Sequence, residues 1–245
     1  MFPYKDENPA ELTPIFTVGL IIANVVAWVW IQGMGTQLQG SICTFGMIPV
    51  EISGEAPVGP QICPLGGLTW STMLTSMFMH GSWLHLIANM MFLWVFGNNI
   101  EDSMGHFRFL VFYLLTGIAA GAAHVLLNSH SAIPTVGASG AISGVLGAYM
   151  LLYPNVRVHV FLPPFWILRL RAYVVLGYWI LIQLLMGFGQ LGGGYTPGVA
   201  VWAHIGGFFV GLLLVKFFER PQLVGAKREG RRIDRREIRE QNYWW

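Results

Sequence analysis

Uncharged apolar runs alternate with polar breaks along the chain, and the run lengths indicate what each one is. Residues 14–33 carry no charge. At about 1.5 Å per residue a helix of that length crosses a hydrocarbon core of about 30 Å, so they form a first predicted span. Residues 34–67 shift to Gly, Pro, Thr, Gln and Ser, with Glu51, Glu55, Cys43 and Cys63, a connector long enough to be expected to be functional or partly ordered. Residues 68–97 exceed a single untilted crossing. Within them 70–79 read as an interfacial or re-entrant piece, His80-Gly81-Ser82 breaks it, and a second span covers 83–97. A polar turn at 98–106 holds Glu101 and Asp102, a third span covers 107–127, and the uncharged loop 128–136 leads to a short fourth span at 137–153, whose length predicts burial among its neighbours. Residues 154–171 read as a turn with a Pro163-Pro164 break; a fifth span at 172–188, a glycine-rich loop at 189–198 and a sixth span at 199–218 follow. The predicted architecture is an all-α, six-transmembrane-helix domain, 14–218, with a long first external loop, a cytoplasmic N-terminal segment, 1–13, and a cytoplasmic basic tail, 219–245.

Composition places the chain in the same class. Apolar residues make up 54% and charged residues 11%, against about 25% charged in ordinary soluble chains. The net charge of +2 conceals an uneven distribution: all 14 Lys and Arg fall on the side shared by the N-terminus, loops 2/3 and 4/5 and the tail. The positive-inside rule then puts both termini in the cytoplasm. Polar, acidic residues ahead of a full-length first span predict an anchor rather than a cleaved signal, and the lack of added spans or an organelle presequence points to a bacterial plasma (inner) membrane. The basic tail reads as a solvated, partly helical segment with i to i+4 ion pairs, or as a weak attachment to anionic lipid at about 1 kcal/mol per basic residue. It implies no nucleic-acid partner. Cys43 and Cys63 share the external loop, where they either form a disulfide worth roughly 3 kcal/mol in the chain-entropy model or stay reduced.

Polar side chains at membrane depth are costly and tend to mark sites. On the fourth span, Ser139, Gly140, Ser143, Gly144 and Gly147 share an arc of about 140° at 100° per residue, a small and weakly polar face that lets a neighbouring backbone come close. Such a serine is either packing glue or a nucleophile. The second span carries His85 and Asn89, four apart and so on one face. The sixth carries His204, with Ala200, Gly207 and Gly211 within about 60° of it. Each of His85, Ser139 and His204 falls near the start of its span, which places all three within about 10 Å of the outer edge. A serine hydroxyl needs an imidazole to take its proton and return it to the leaving amine. The tetrahedral oxyanion needs preorganised donors, which the Asn89 amide, His85 and the Ser139 backbone N–H could supply, with Gly137 beside them. No carboxylate lies at membrane depth near His204, so the residues support a Ser-His dyad whose histidine is oriented by packing.

These residues match a family. Gly137-Ala138-Ser139-Gly140, Ala203-His204-Ile205-Gly206-Gly207 and His85-x-x-x-Asn89, together with Glu101-x-x-x-Gly105 and Tyr153-Pro154, resemble the rhomboid intramembrane serine proteases over residues 65–218. The resemblance implies a six-helix bundle with a water-filled cavity opening outward, Ser139 as nucleophile, His204 as general base, and His85 with Asn89 at the oxyanion. It also implies that loop 5/6 caps the site, for which the glycines at 189 and 192–194 suit a movable element, and that span 5 is a side gate for a substrate helix. In two places the chain departs from the pattern. Trp70 is followed by Ser71 where many rhomboids carry a Trp-Arg pair, and Ser143 stands where many place an aromatic against the histidine.

The remaining histidines point elsewhere. His80 reads as an interfacial packing or hydrogen-bonding residue, His106 and His159 as solvated cytoplasmic loop residues, and His124 with His130 lacks the acidic or thiolate partners of a metal site. No metal and no cofactor are expected. The expected activity is endopeptidase cleavage of membrane-protein substrates in or near their transmembrane segments. The substrate helix must partly unwind there to expose its carbonyl, so residues of low helix propensity favour cutting. The rivals are a rhomboid-like pseudoprotease that binds helices without cutting, and a transporter or channel, although neither internal repeats nor midplane acids are found.

Overall fold

A computed structural model describes residues 1–66, 69–164, 166–191 and 199–228. Strand β1 (Phe2–Asp6) leads into α1 (Ile15–Val26), which widens into a π-helical turn (Ala27–Ile31). The connector carries α2 (Leu38–Phe45) and α3 (Pro49–Ser53), and α4 (Thr72–Thr75) lies beyond it, in the piece 70–79. Then come α5 (Trp83–Phe92), a π-helical turn (Leu93–Gly97), α6 (Asn98–Met104), α7 (His106–Leu127) and α8 (Ser139–Leu152). Strands β2 (Arg157–Leu162) and β3 (Trp166–Arg171) precede α9 (Ala172–Leu191), α10 (Val201–Phe218) and α11 (Pro221–Arg228). Among the described residues, α7, α9 and α10 are long and apolar enough to cross a membrane, and Ile15–Ile31 and Ser139–Leu152 are shorter apolar helices.

The short helix α8 is the centre of the molecule. From Gly140 to Tyr149 every residue is buried, and this is possible because its glycines admit other backbones. A Cβ placed on Gly147 would lie 2.1 Å from the carbonyl oxygen of Phe208 on α10, and one on Gly144 would lie 2.5 Å from Thr116 Cβ on α7. In lipid, where apolar surface gains nothing by leaving the solvent, van der Waals contact between close backbones is a main source of helix association.

Up to Gly66 the connector is tied down by a covalent bridge and by side-chain hydrogen bonds. Cys43 and Cys63 form a disulfide, and the Glu51 carboxylate accepts from the Gly66 N–H at 2.7 Å and the Thr69 hydroxyl at 3.0 Å.

Several readings require correction. Residues 98–104 are helix rather than a polar turn, and Glu101 and Asp102 are buried, at 0% and 2% exposure. Their role explains the burial. Pro14 gives α1 no side-chain cap, and the Glu101 carboxylate supplies one from a distance, accepting from Phe16 N–H at 3.0 Å and Thr17 N–H at 2.8 Å. Asp102 accepts from Leu12 N–H at 2.6 Å and Glu11 N–H at 3.0 Å. These N–H groups would otherwise go unbonded at a helix start. His106 is therefore not solvated: it is 5% exposed, with Nδ1 at 2.5 Å from Glu101. Glu101→Ala should cost about 3–5 kcal/mol, since it leaves buried donors and an imidazole without their acceptor. Thermal unfolding in mild detergent should show a large loss for Glu101→Ala and a smaller one for Glu101→Gln.

The architecture is mostly helical but not all-α. Strands β1, β2 and β3 form an antiparallel sheet in that order, with Val160 opposite Pro3 and Val158 opposite Leu170. Val158 and Val160 are fully buried and Arg157 and Phe161 exposed, the period-two alternation of a strand with one face on a core. Asp6 carries the N-terminal segment into the bundle, accepting from Tyr149 at 2.5 Å and Asn99 at 2.8 Å. Glu7 joins the hairpin through His159 at 2.9 Å and Arg169 at 2.5 Å, and these partners, His159 first, hold its carboxyl below the usual range. The start of the tail is also packed rather than solvated: Leu223 and Val224 are buried and the Arg220 guanidinium donates to the Met104 carbonyl at 3.1 Å. Residues 229–245 lie outside the described residues.

Candidate active site

The site is assembled at the starts of three helices. Ser82 adopts an extended conformation and its hydroxyl accepts the His85 N–H at 3.1 Å, capping α5. That cap fixes the register at which His85 and Asn89 follow one another along one face. The Gly81 N–H donates to His85 Nδ1 at 3.3 Å, which leaves Nε2 as the protonated nitrogen of a neutral ring. Gly137 has φ +126°, and a Cβ there would sit 2.8 Å from His85 Nε2 and 3.5 Å from Ser139 Oγ. Only glycine meets both the backbone conformation and the space, and it brings His85 and Ser139 close to one another.

Ser139 is the first residue of α8, so N–H groups of the opening turn have no carbonyl within the helix and the positive end of its dipole lies at the hydroxyl. His204 lies in the first turn of α10. Its Nε2 is 2.8 Å from Ser139 Oγ. Its Nδ1 is 2.9 Å from Gln183 Oε1, and the Trp179 ring lies 5.8 Å away, tilted by 45°. Both Trp179 and Gln183 belong to α9, one turn apart. A cavity of about 490 Å³ is lined by five of these residues from four helices, His85, Asn89, Ser139, Trp179 and His204. Asn89 is 7% exposed, and its Nδ2 has no hydrogen-bond partner among the described residues. An amide donor left unbonded beside a cavity is expensive and calls for an acceptor.

The structure therefore brings Ser139, His204, His85, Asn89 and Gly137 into one place. The Ser143 hydroxyl donates back along α8 to the Ser139 carbonyl at 2.6 Å. The aromatic neighbour of the imidazole comes instead from Trp179. Neither Trp179 nor Gln183 figures in the sequence reading, although an amide in the middle of the run Gly177–Leu185 carries the same signal as the polar residues on the other spans. His124 Nε2 bonds to Thr135 Oγ1 at 3.1 Å and His130 Nδ1 to the Ala56 carbonyl at 3.0 Å. Among the described residues no three His, Cys, Asp or Glu gather as metal ligands. Most of the expected cap, 192–198, lies outside the described residues, and α9 extends to Leu191.

Comparison with known proteins adds an independent line. A rhomboid domain model matches residues 68–220. The chain is 32% identical over 148 residues to Rhomboid-like protein 11, chloroplastic, of Arabidopsis thaliana, covering 60% of this chain and 51% of that one. It is 28% identical over 147 residues to Rhomboid protein 1, mitochondrial, of Saccharomyces cerevisiae, covering 58% and 40%. It is 40% identical over 84 residues to Rhomboid protease GluP of Bacillus subtilis, covering 34% and 16%. The chain thus matches about half or less of the length of these relatives. Since the domain model takes in well over half of the chain, the protein belongs to the rhomboid family.

Proposed function

We propose that this rhomboid is a six-span intramembrane serine endopeptidase that cuts membrane-protein substrates in or near their transmembrane segments. The observation that carries the reading is the 2.8 Å approach of His204 Nε2 to Ser139 Oγ inside a cavity large enough for a peptide group and water. In the proposed reaction the Ser139 hydroxyl attacks the scissile carbonyl carbon while its proton passes to His204 Nε2. The carbonyl oxygen becomes an oxyanion, which the His85 Nε2–H, the Asn89 amide and the backbone N–H of Ser139 meet; Gly137 keeps that space open. Collapse of the tetrahedral species breaks the C–N bond, the amine leaves with the proton from His204, and an acyl-serine remains. Water then attacks the ester with His204 again accepting its proton, and release of the acid restores the hydroxyl.

The second crossing in this reading, 83–97, is α5 together with the π-helical turn that follows it. The charge partition orients the bundle with both termini in the cytoplasm and the cavity towards the outer face of a plasma (inner) membrane. The substrate segment must open its helical hydrogen bonds before its carbonyl reaches Ser139.

The test is reconstitution of the full chain in proteoliposomes with model single-span substrates. A segment with Gly and Ser near its end should be cut and a stiff all-Leu segment spared, and a fluorophosphonate should label Ser139. Capture of the helix with neither cutting nor labelling would mean a pseudoprotease, and equal cutting of both segments would remove the unwinding step.

A further inference from the structure

We infer that Gln183 is the positioning residue for His204: its side-chain oxygen, 2.9 Å from Nδ1, holds the imidazole in the one neutral form that can accept the Ser139 proton. The inference rests on the reading of Ser139 and His204 as the reacting pair.

A neutral imidazole carries one proton on either of its nitrogens. If Nε2 bore it, the lone pair would face away from Ser139 and the hydroxyl would meet a donor. The oxygen of Gln183 accepts a hydrogen bond and cannot give one, so it selects Nδ1–H and leaves the Nε2 lone pair aimed at Ser139 Oγ, 2.8 Å away. When Nε2 takes the proton, the Nδ1–H bond becomes charge-assisted and shorter bonds of that kind are stronger. The amide therefore favours the protonated ring as well as the correct starting tautomer.

The surroundings support a dedicated role. Gln183 is 8% exposed and lies in the middle of the membrane-spanning helix α9, among Ile180, Leu181, Ile182, Leu184 and Leu185, where an amide is unfavourable unless bonded. Trp179, one turn earlier on the same face, fixes the ring plane from the side. A neutral amide also suits this depth better than a carboxylate, because no anion has to be stripped of water. In this arrangement α9 supplies the orientation of a base carried by α10 to a nucleophile carried by α8.

The experiment compares wild type with Gln183→Met, which keeps the shape and removes the acceptor, and Gln183→Glu, which keeps an acceptor and removes the amide donor. In proteoliposomes Gln183→Met should lower kcat by about tenfold with KM within about twofold of wild type, the loss of one buried hydrogen bond, with the protein still folded and its melting temperature only modestly lowered. Gln183→Glu should keep most of the turnover. Nitrogen NMR of ¹⁵N-histidine protein, with the His204 signals assigned by difference from His204→Gln, should show Nδ1–H in wild type and a mixture of tautomers in Gln183→Met. An Nε2–H ring in wild type overturns the inference without any variant, as does wild-type kcat in Gln183→Met, or an equal loss in both folded variants. If wild type shows no Ser139-dependent cleavage, the proteolytic reading fails instead, while the ring nitrogens still report whether Gln183 sets the tautomer.

Discussion

Ser139→Ala and His204→Ala are each expected to lower single-turnover cleavage of a transmembrane substrate by about 10⁴-fold or more, and the double variant to be no worse than the weaker single one. In the proposed reaction the two side chains act as one device. Without the imidazole the hydroxyl keeps its proton and is a poor nucleophile; without the hydroxyl the imidazole has only water to activate, and no acyl-serine forms. Removing the second partner after the first has nothing left to remove. What would survive in either variant is the proposed donor set around the oxyanion, His85, Asn89 and the start of α8, and its residual effect should be common to all three proteins. Both Ser139 and His204 are only partly buried, so each variant should remain folded, which its melting temperature checks. Rates measured at saturating substrate settle the matter: losses that multiply in the double variant would show that the residues act independently.

The same bonds mark what could be read from the sequence and what could not. Ser139, His204, His85 and Asn89 stood out because a polar group inside an apolar run has few innocent explanations, and a shared depth is a strong constraint in a bundle whose helices all cross the same layer. Gln183 carried the same signal, but an expectation built on a dyad left no place for a third group. Glu101 and Asp102 were misplaced for a different reason. Charged residues between two apolar runs ordinarily mean a loop in water, and nothing local shows that the N–H groups awaiting them belong to residues 11–17, some eighty-five positions earlier. The sheet is hard to see for a related reason: the short alternation Arg157-Val158-His159-Val160 becomes a strand by pairing with residues 2–6 on one side and 166–171 on the other, and a segment so short has no stability of its own. The fate of Ser143 was set by its own helix, since a hydroxyl in a helix can bond to the carbonyl four residues back.

Gly211→Val is expected to be the most damaging single change outside the site, and Gly207→Ala the most informative. A Cβ on Gly211 would lie 2.1 Å from the Gly144 carbonyl oxygen and 2.5 Å from Gly144 Cα, and one on Gly207 would lie 2.1 Å from the Gly140 carbonyl oxygen. The obstructing atoms are backbone, so no rotamer change relieves the clash and α8 and α10 must move apart. Overpacking of this kind typically costs about 1–3 kcal/mol and sometimes more, and here it also removes the close contact on which association in lipid depends. Gly207 lies one turn from His204 on α10, and its opposing residue Gly140 is next to Ser139, so the separation is transmitted directly to the reacting atoms. An added gap of about 1 Å would take the 2.8 Å Ser139–His204 bond beyond hydrogen-bonding range, and misplacement of that size costs about 10²-fold in rate. Gly207→Ala should therefore lose about two orders of magnitude in kcat at a modest cost in melting temperature, whereas Gly211→Val should melt far earlier. Gly177 and Gly19 provide the control, because a Cβ at either meets nothing within 4 Å. Alanine there should leave kcat unchanged and, by removing a poor helix former, raise stability by up to about 1 kcal/mol. If all four variants melted and turned over alike, glycine at the α8–α10 seam would be a matter of composition alone, and the distance between serine and imidazole would have to be set by some other contact.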